Sequence, residues 1–519
     1  MKKKILSLAV AAGLVGAVSA QAEMHINPNG LGEALIYPFY SAANGNDTLV
    51  SIVNTTGLTK AVKVRFIEAL NSQEVLDFNL YLSPEDVWTG VVTANPRGEG
   101  AIIRTADTSC TVPQLGLNAA PGYTHFNGWV EDGVKNQPFV NYKYGVKGKD
   151  PLNPELDLVP DTESFQGLDR TLEGYIEVIE MGQLDPEDEG FGQAAVHTPA
   201  GVPNNCATLV NAWTQGGSGN GTWLGGGDNS QIGLLQGEDG WAANAGGLYG
   251  YGVVVNIPEG TASGYDAIAI EAFNSDEDLQ NLHYQPGYEF PSLQNANEVA
   301  TIFDGIYPET IQYSTGADAV SALFMSTSIA NDYVIDPSIN ANTDWVITMP
   351  TKRFYVQSTP ALTPFTNSWA TSESPEPTAG ACEQIVYEYW DREEANIAPV
   401  DIVNPPLPSP LPPFIPTEIV GINLCTEVTV VSFGEDSALN ASENIRLGLP
   451  TGEYTEGWAR ISFDNLSTRV LPGDGPTLRG LPVVGFAVFE YQNGSVGGVL
   501  SNYGSSATHK SEVGITQAP

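Results

Sequence analysis

Hydrophobic and polar residues alternate with period two along Asp47–Val92, the best-patterned run in the chain. Val62, Val64 and Phe66 fall on one face of a pleat, with Lys63 and Arg65 on the other. Leu76, Phe78, Leu80 and Leu82 repeat the pattern against Asp77, Asn79 and Tyr81. Gly57 and Asn71-Ser72 punctuate the runs, and Ser83-Pro84-Glu85-Asp86 turns the chain into a last strand, Val87–Val92. The pattern predicts half of a β-sandwich.

The same reading extends along the chain. Ala34–Tyr40 predicts a strand, and Pro38 inside it, which cannot donate to a ladder, assigns it to a sheet edge. Ala101–Thr105, Thr171–Met181, Val253–Ile257 and Ala267–Phe273 predict further strands, the last with a helical alternative. Val320, Leu323, Phe324 and Ile329 are spaced for one apolar face and predict a helix over 318–334. A second β region then opens with Trp345–Met349 and Arg353–Gln357 and continues through Gln384–Trp390, Cys425–Phe433, Ala459–Phe463 and Pro482–Tyr491. The glycine-dense segment 215–252 carries Trp223, Trp241, Tyr249 and Tyr251, which favours a packed loop over a linker. Asn404–Pro416 is proline-rich and extended in character. The expected fold class is mainly β, with one or two short helices. A sandwich is expected over 23–110, a glycine-rich irregular β region over 111–335, and a second β-rich domain over 336–519, with its proline-rich loop at 404–416.

Val53-Asn54, Val62–Ile67 and Leu82-Ser83-Pro84-Glu85 resemble the strand motifs of bacterial secreted immunoglobulin-like sandwiches. Asn27–Tyr40, Asp344–Val356 and Val499–Lys510 resemble an uncharacterised family of secreted, β-rich proteins of Gram-negative bacteria. That resemblance implies export and a β fold, and carries no functional residues with it.

The N-terminus agrees with export. Lys2, Lys3 and Lys4 precede the apolar run Ile5–Ser19, and Ala20-Gln21-Ala22 offers a small–x–small cleavage site. The expected signal peptide is 1–22, leaving a mature chain without a membrane span. Composition adds an extreme charge: 61 acidic against 21 basic residues, a net −40, or −43 without the signal lysines. That sign excludes nucleic acid as a partner and disfavours anionic membranes. Low lysine and high acidity suit solubility in salt, and leave Ca²⁺ as the one cofactor to consider, none being otherwise expected. The weak ligand candidates are the acidic turns Asp185, Glu187, Asp188, Glu189 and Asp276, Glu277, Asp278.

Four cysteines in an exported chain predict two disulfides. Three connectivities satisfy the count. The pairing Cys110–Cys206 and Cys382–Cys425 is preferred because each bridge then stays within one half of the chain.

Motifs for chemistry are missing. The five histidines, His25, His125, His197, His283 and His509, show no zinc-ligand spacing. No G-x-S-x-G or P-loop pattern occurs. Acidic pairs are too abundant to single out a glycosidase dyad. Trp390–Glu394, WDREE, is the one dense polar–aromatic cluster, and it reads first as a strand end. The functional expectation is a secreted or cell-surface structural or adhesion-type protein without catalytic activity. Its expected partners are itself or other surface components, in a matrix, filament or surface layer. The alternative is a carbohydrate-binding or carbohydrate-active protein of the periplasm or exterior, with glycans as partners.

Overall fold

The computed structural model describes residues 23–120, 123–140, 148–149, 157–158, 167–187, 190–213, 223, 246–273, 282–303, 305, 307–369, 380–393, 422–442, 444–449, 454–464 and 468–516. The expected signal segment, the proline-rich run, most of the glycine-dense segment, and Asp188, Glu189, Asp276, Glu277 and Asp278 lie outside these residues. The described chain is mainly β, organised in antiparallel sheets with a few short helices.

Two seven-stranded sheets face each other in the N-terminal half. The first runs in the order His25–Ile26, Ile268–Glu271, Ala34–Ser41, Glu173–Leu184, Thr59–Glu68, Glu74–Leu82, Cys110–Val112. The second runs Trp129–Glu131, Val134–Pro138, Ala101–Thr105, Val87–Ala94, Asn46–Asn54, Leu248–Asn256, Thr261–Asp266. Strands from 173–271 therefore complete sheets begun by residues 25–112. Val62, Val64, Phe66, Phe78 and Leu80 from the first sheet meet Val50, Ile52, Trp88 and Val92 from the second in one buried cluster. The Phe78 and Trp88 rings stand 5.8 Å apart. Truncating either side chain to Ala would cost about 3–5 kcal/mol.

The C-terminal half builds a second pair of sheets. One is ordered Ile422–Leu424, Glu383–Asp391, Glu456–Ser462, Ser328–Val334, Lys510–Glu512; the other Asn444–Arg446, Val428–Ser432, Ala341–Thr348, Val484–Val496, Val499–Thr508. Trp345, Ile347, Tyr389, Val431, Ala459 and Ile461 fill the space between them. The alternate residues Val346, Val430, Phe486 and Val488 belong instead to the core cluster of the first sandwich. The sheet carrying them is thus buried on both faces, and the Tyr265 and Phe486 rings stack at 4.5 Å across the seam.

Three local expectations are corrected. Ala34–Ser41 is an interior strand rather than an edge. Pro38 is accommodated because its neighbour Ile268–Glu271 pairs only as far as Ile36. On the other side the register with Glu173–Leu184 shifts between Gly174 and Ile176, so neither ladder calls on the missing N–H. The helix expected over 318–334 runs only over Gly316–Phe324, capped by the Thr315 side chain accepting from Asp318 N. From Ser328 the chain is a strand paired with Glu456–Ser462, and Ile329 enters the second core. Arg353–Val356 is a helical turn rather than a strand. It lets Arg353 reach Glu177 while Tyr355 and Val356 enter the second core.

Both disulfides form with the preferred pairing, Cys110–Cys206 and Cys382–Cys425. The first ties the helix Cys206–Ala212 to an edge strand of the first sheet. Two such bridges indicate an oxidising compartment. Among the described residues no helix is long and apolar enough to cross a membrane.

Candidate functional site

The polar face of the first sheet is the first place to look for chemistry, since it gathers Lys63, Arg65, Asp77 and Glu177. All four are buried. Helices Phe191–Ala195, Cys206–Ala212 and Gly316–Phe324 pack their apolar residues over neighbouring parts of this face. Over Lys63, the carbonyls of Gln285 and Tyr288 accept from its ammonium at 3.0 and 3.2 Å.

Every cation here is matched. Arg65 donates to Glu74 at 2.7 Å and to Glu177 at 2.9 Å, and Arg353 reaches Glu177 at 3.1 Å. Lys63 pairs with Asp77 at 3.2 Å, and on the opposite face of the same sheet Lys60 pairs with Glu180 at 2.7 Å. Burial opposes the Arg65 charge, but Glu74 and Glu177 outweigh it and push its pKa up. Burial likewise raises the Asp77 carboxyl to about 6, against the pull of Lys63, and Glu180 to about 7, against Lys60. Paired, enclosed and shared between the sheet and its cover, these groups hold layers together.

His283 is a core histidine. Its Nε2 meets the Tyr81 hydroxyl at 3.0 Å, and the Trp213 and Trp223 rings stand 4.8 and 4.7 Å away. Burial, helped by nearby Lys63, lowers it to about 3.

Sequence spacing missed one constellation, Ser83, Asp86, Thr108 and His197. The Ser83 hydroxyl lies 2.7 Å from His197 Nδ1, and Asp86 lies 3.5 Å from the same nitrogen. A nucleophile relay needs the serine on one ring nitrogen and the carboxylate on the other. Here both address Nδ1, and Nε2 faces the Thr108 hydroxyl, which donates to Gly201 O. The arrangement pins the loop after the helix Phe191–Ala195 to the turn at Ser83. Of the acidic turn at Asp185–Glu189, the described part is a local one in which Asp185 accepts from Glu187 N at 2.8 Å. Among the described residues no three acidic, histidine or cysteine side chains converge as a metal-binding group.

The outer face of the sheet Glu383–Asp391, Glu456–Ser462, Ser328–Val334 is different. Register places Trp390 opposite Trp458 and Glu388 opposite Arg460. Asp332 lies opposite Trp458 on the other side. The two indoles stack nearly parallel, 4.0 Å apart with planes 10° from parallel. Trp458 remains 39% exposed, the only tryptophan among the exposed large hydrophobic side chains of the described residues. Arg460 donates twice to one oxygen of Glu388, at 2.6 and 3.1 Å, and its guanidinium sits 5.5 Å from the Trp390 ring. Arg392 pairs with Glu456 at 2.7 Å at the row's end. Gly457 allows the close pairing, because a Cβ there would meet Trp390 O at 1.9 Å. This gathers a flat aromatic surface, half-exposed charges and hydrogen-bonding groups on a rigid sheet. Trp390 and Arg392 of the WDREE cluster sit in it; the signal for Trp458 was 68 residues away and needed the strand register to be found.

No family model, curated protein or solved structure matches the chain.

Proposed function

We propose that the chain is an exported, adhesion-type protein of the cell surface or exterior, acting by binding rather than by catalysis. The observation that carries this reading is the Trp390–Trp458 face. Its tryptophans, Arg460 and Glu388 are presented to solvent on a sheet, whereas the denser charges of the first sheet are sealed in. Rigid aromatics flanked by paired charges suit a flat or extended ligand. The same face favours the carbohydrate-binding reading of that ligand. An indole face stacks on the C–H face of a sugar ring, and a guanidinium–carboxylate pair beside it can hydrogen-bond vicinal hydroxyls. A homotypic matrix is the other adhesive outcome.

The test incubates the purified mature protein with insoluble polysaccharides, scoring co-sedimentation and release of soluble sugar together. Retention on a polysaccharide without sugar release is the expected result. Steady release of sugar would overturn the non-catalytic reading. Recovery of the native protein only from the periplasmic fraction would overturn its surface placement.

A further inference from the structure

Most buried charges of this protein have partners of opposite charge; among the described residues Glu490 has none. It lies on Val484–Val496, is 1% exposed, and its carboxylate is approached by the neutral side chains of Gln492 and Thr261, with no cation beside it. Among the described residues no lysine or arginine pairs with it. Glu490 lines a small pocket in the seam between the two sandwiches, of about 10 Å³. Asn46, Asn256, Thr261 and Ser263 of the first sandwich line the pocket from the other side, with Leu439 closing it.

The lining is rich in oxygen. Asn46 Oδ1 accepts from Asn256 Nδ2 at 3.1 Å, and Asn256 Oδ1 accepts from Glu259 N at 3.1 Å. Each amide oxygen keeps a second lone pair. Two hydroxyls and one carboxylate are added by Thr261, Ser263 and Glu490 around a space the size of one water or one dehydrated ion, the rest of whose lining is Val254, Ala262, Ala438 and Leu439. The surrounding potential is negative, because Glu259 and Asp344 lie near enough to act on Glu490, and the whole chain carries −40. An unpaired carboxylate in such a place is expensive unless a cation or proton joins it.

We propose that the seam pocket at Glu490 is a Ca²⁺ site, whose ion joins the turn between Asn256 and Thr261 to the long C-terminal hairpin. Oxygen-only donors and a compact cage fit a hard cation of this kind. One carboxylate among neutral oxygens sets a weak affinity, in the class of about 10⁻⁴–10⁻³ M used by extracellular modules. The site is separate from the acidic turns and does not rest on the adhesive reading.

The experiment is thermal unfolding of the full mature chain, in chelator and then in CaCl₂ to 10 mM at constant ionic strength, with Glu490→Gln beside it. The wild-type midpoint is expected to rise by a few degrees and saturate. Mg²⁺, which dehydrates reluctantly, should produce less than half of the shift. Glu490→Gln should lose the shift, and in chelator should melt no lower than the wild type, since its unpaired charge is gone. If Glu490→Gln does not fold, Ser263→Ala should weaken the Ca²⁺ response with the fold intact. Equilibrium dialysis should find one Ca²⁺ per wild-type chain that Glu490→Gln lacks. The proposal is overturned by a wild-type midpoint indifferent to Ca²⁺, by equal shifts in wild type and variant, or by a response that pH alone reproduces.

Discussion

Lys63 and Arg65 in the first sandwich and Glu388 and Arg460 in the second occupy equivalent positions, the polar side of an alternating strand. Their surroundings are opposite. Lys63 and Arg65 are at most 2% accessible at the side chain and bound to Asp77, Glu74 and Glu177. Arg460 and Glu388 keep 39% and 36% of their side-chain surface in water. Alternation decides which residues share a face; the rest of the chain decides whether that face is covered. In the first sandwich, carbonyls at 285 and 288 and Arg353 come from far along the chain to complete the charge pairing. In the second, among the described residues, no comparable layer is laid over Trp458. One polar face became an internal adhesive, and the other, among the described residues, keeps its charges partly in water.

The largest expected effect breaks this comparison directly. Arg65→Ala leaves Glu74 and Glu177 without a main partner in the interior and should cost about 3–5 kcal/mol in urea unfolding. Arg460→Ala, removing an exposed partner, should cost less than about 1 kcal/mol. Equal costs would mean that the two faces are not differently covered. Next in size is the bridge that ties part of the cover to the sheet. Replacing Cys110 and Cys206 together by Ser should cost about 2–4 kcal/mol, read in the same unfolding assay against the intact chain.

A smaller effect, on the order of 2 kcal/mol, is expected from pH. Burial raises Asp77 to about 6, Glu180 to about 7 and Glu427 to about 8, so the folded state holds their protons longer than the unfolded state does. Their stabilisation is complete below the unfolded values near 4 and is lost as pH rises through 6 to 8. Urea midpoints should therefore decline from pH 5 to pH 8, and Glu427→Gln should flatten the upper part of that decline. Lys352, lowered to about 8 by burial, acts with the opposite sign between 8 and its unfolded value, so the scan ends at 8. A flat profile in the wild type would show that water reaches these groups. Smallest of all should be Trp458→Ala, whose exposed ring contributes under about 1 kcal/mol to stability.

Local pattern carried much of the fold. The strands of Asp47–Val92, the alternation at Gln384–Trp390 and the presence of two disulfides could be read from residue types and spacing, and the pairing preferred among three is the one that forms. Pro38 misled because its tolerance depends on where a neighbouring strand, 230 residues later, stops pairing. The helix at 316–324 was overextended because Ile329 continues its apolar spacing, and only pairing with Glu456–Ser462 shows that the chain has changed conformation. The candidate site was half legible. Trp390 stood in a visible cluster, but its stacking partner Trp458 and the pair Glu388–Arg460 exist only once two strands are in register. Glu490 gave no signal at all, because its want of a partner is a property of the seam.

The central claim is that the second sandwich's outer face is the working surface and the first sandwich's is not. It is tested most directly by measuring Trp458→Ala for both co-sedimentation with an insoluble polysaccharide that retains the wild type and urea midpoint. The account predicts retention lowered at least tenfold, about 1.4 kcal/mol, with the midpoint nearly unchanged. Retention equal to the wild type, with the fold intact, would contradict it.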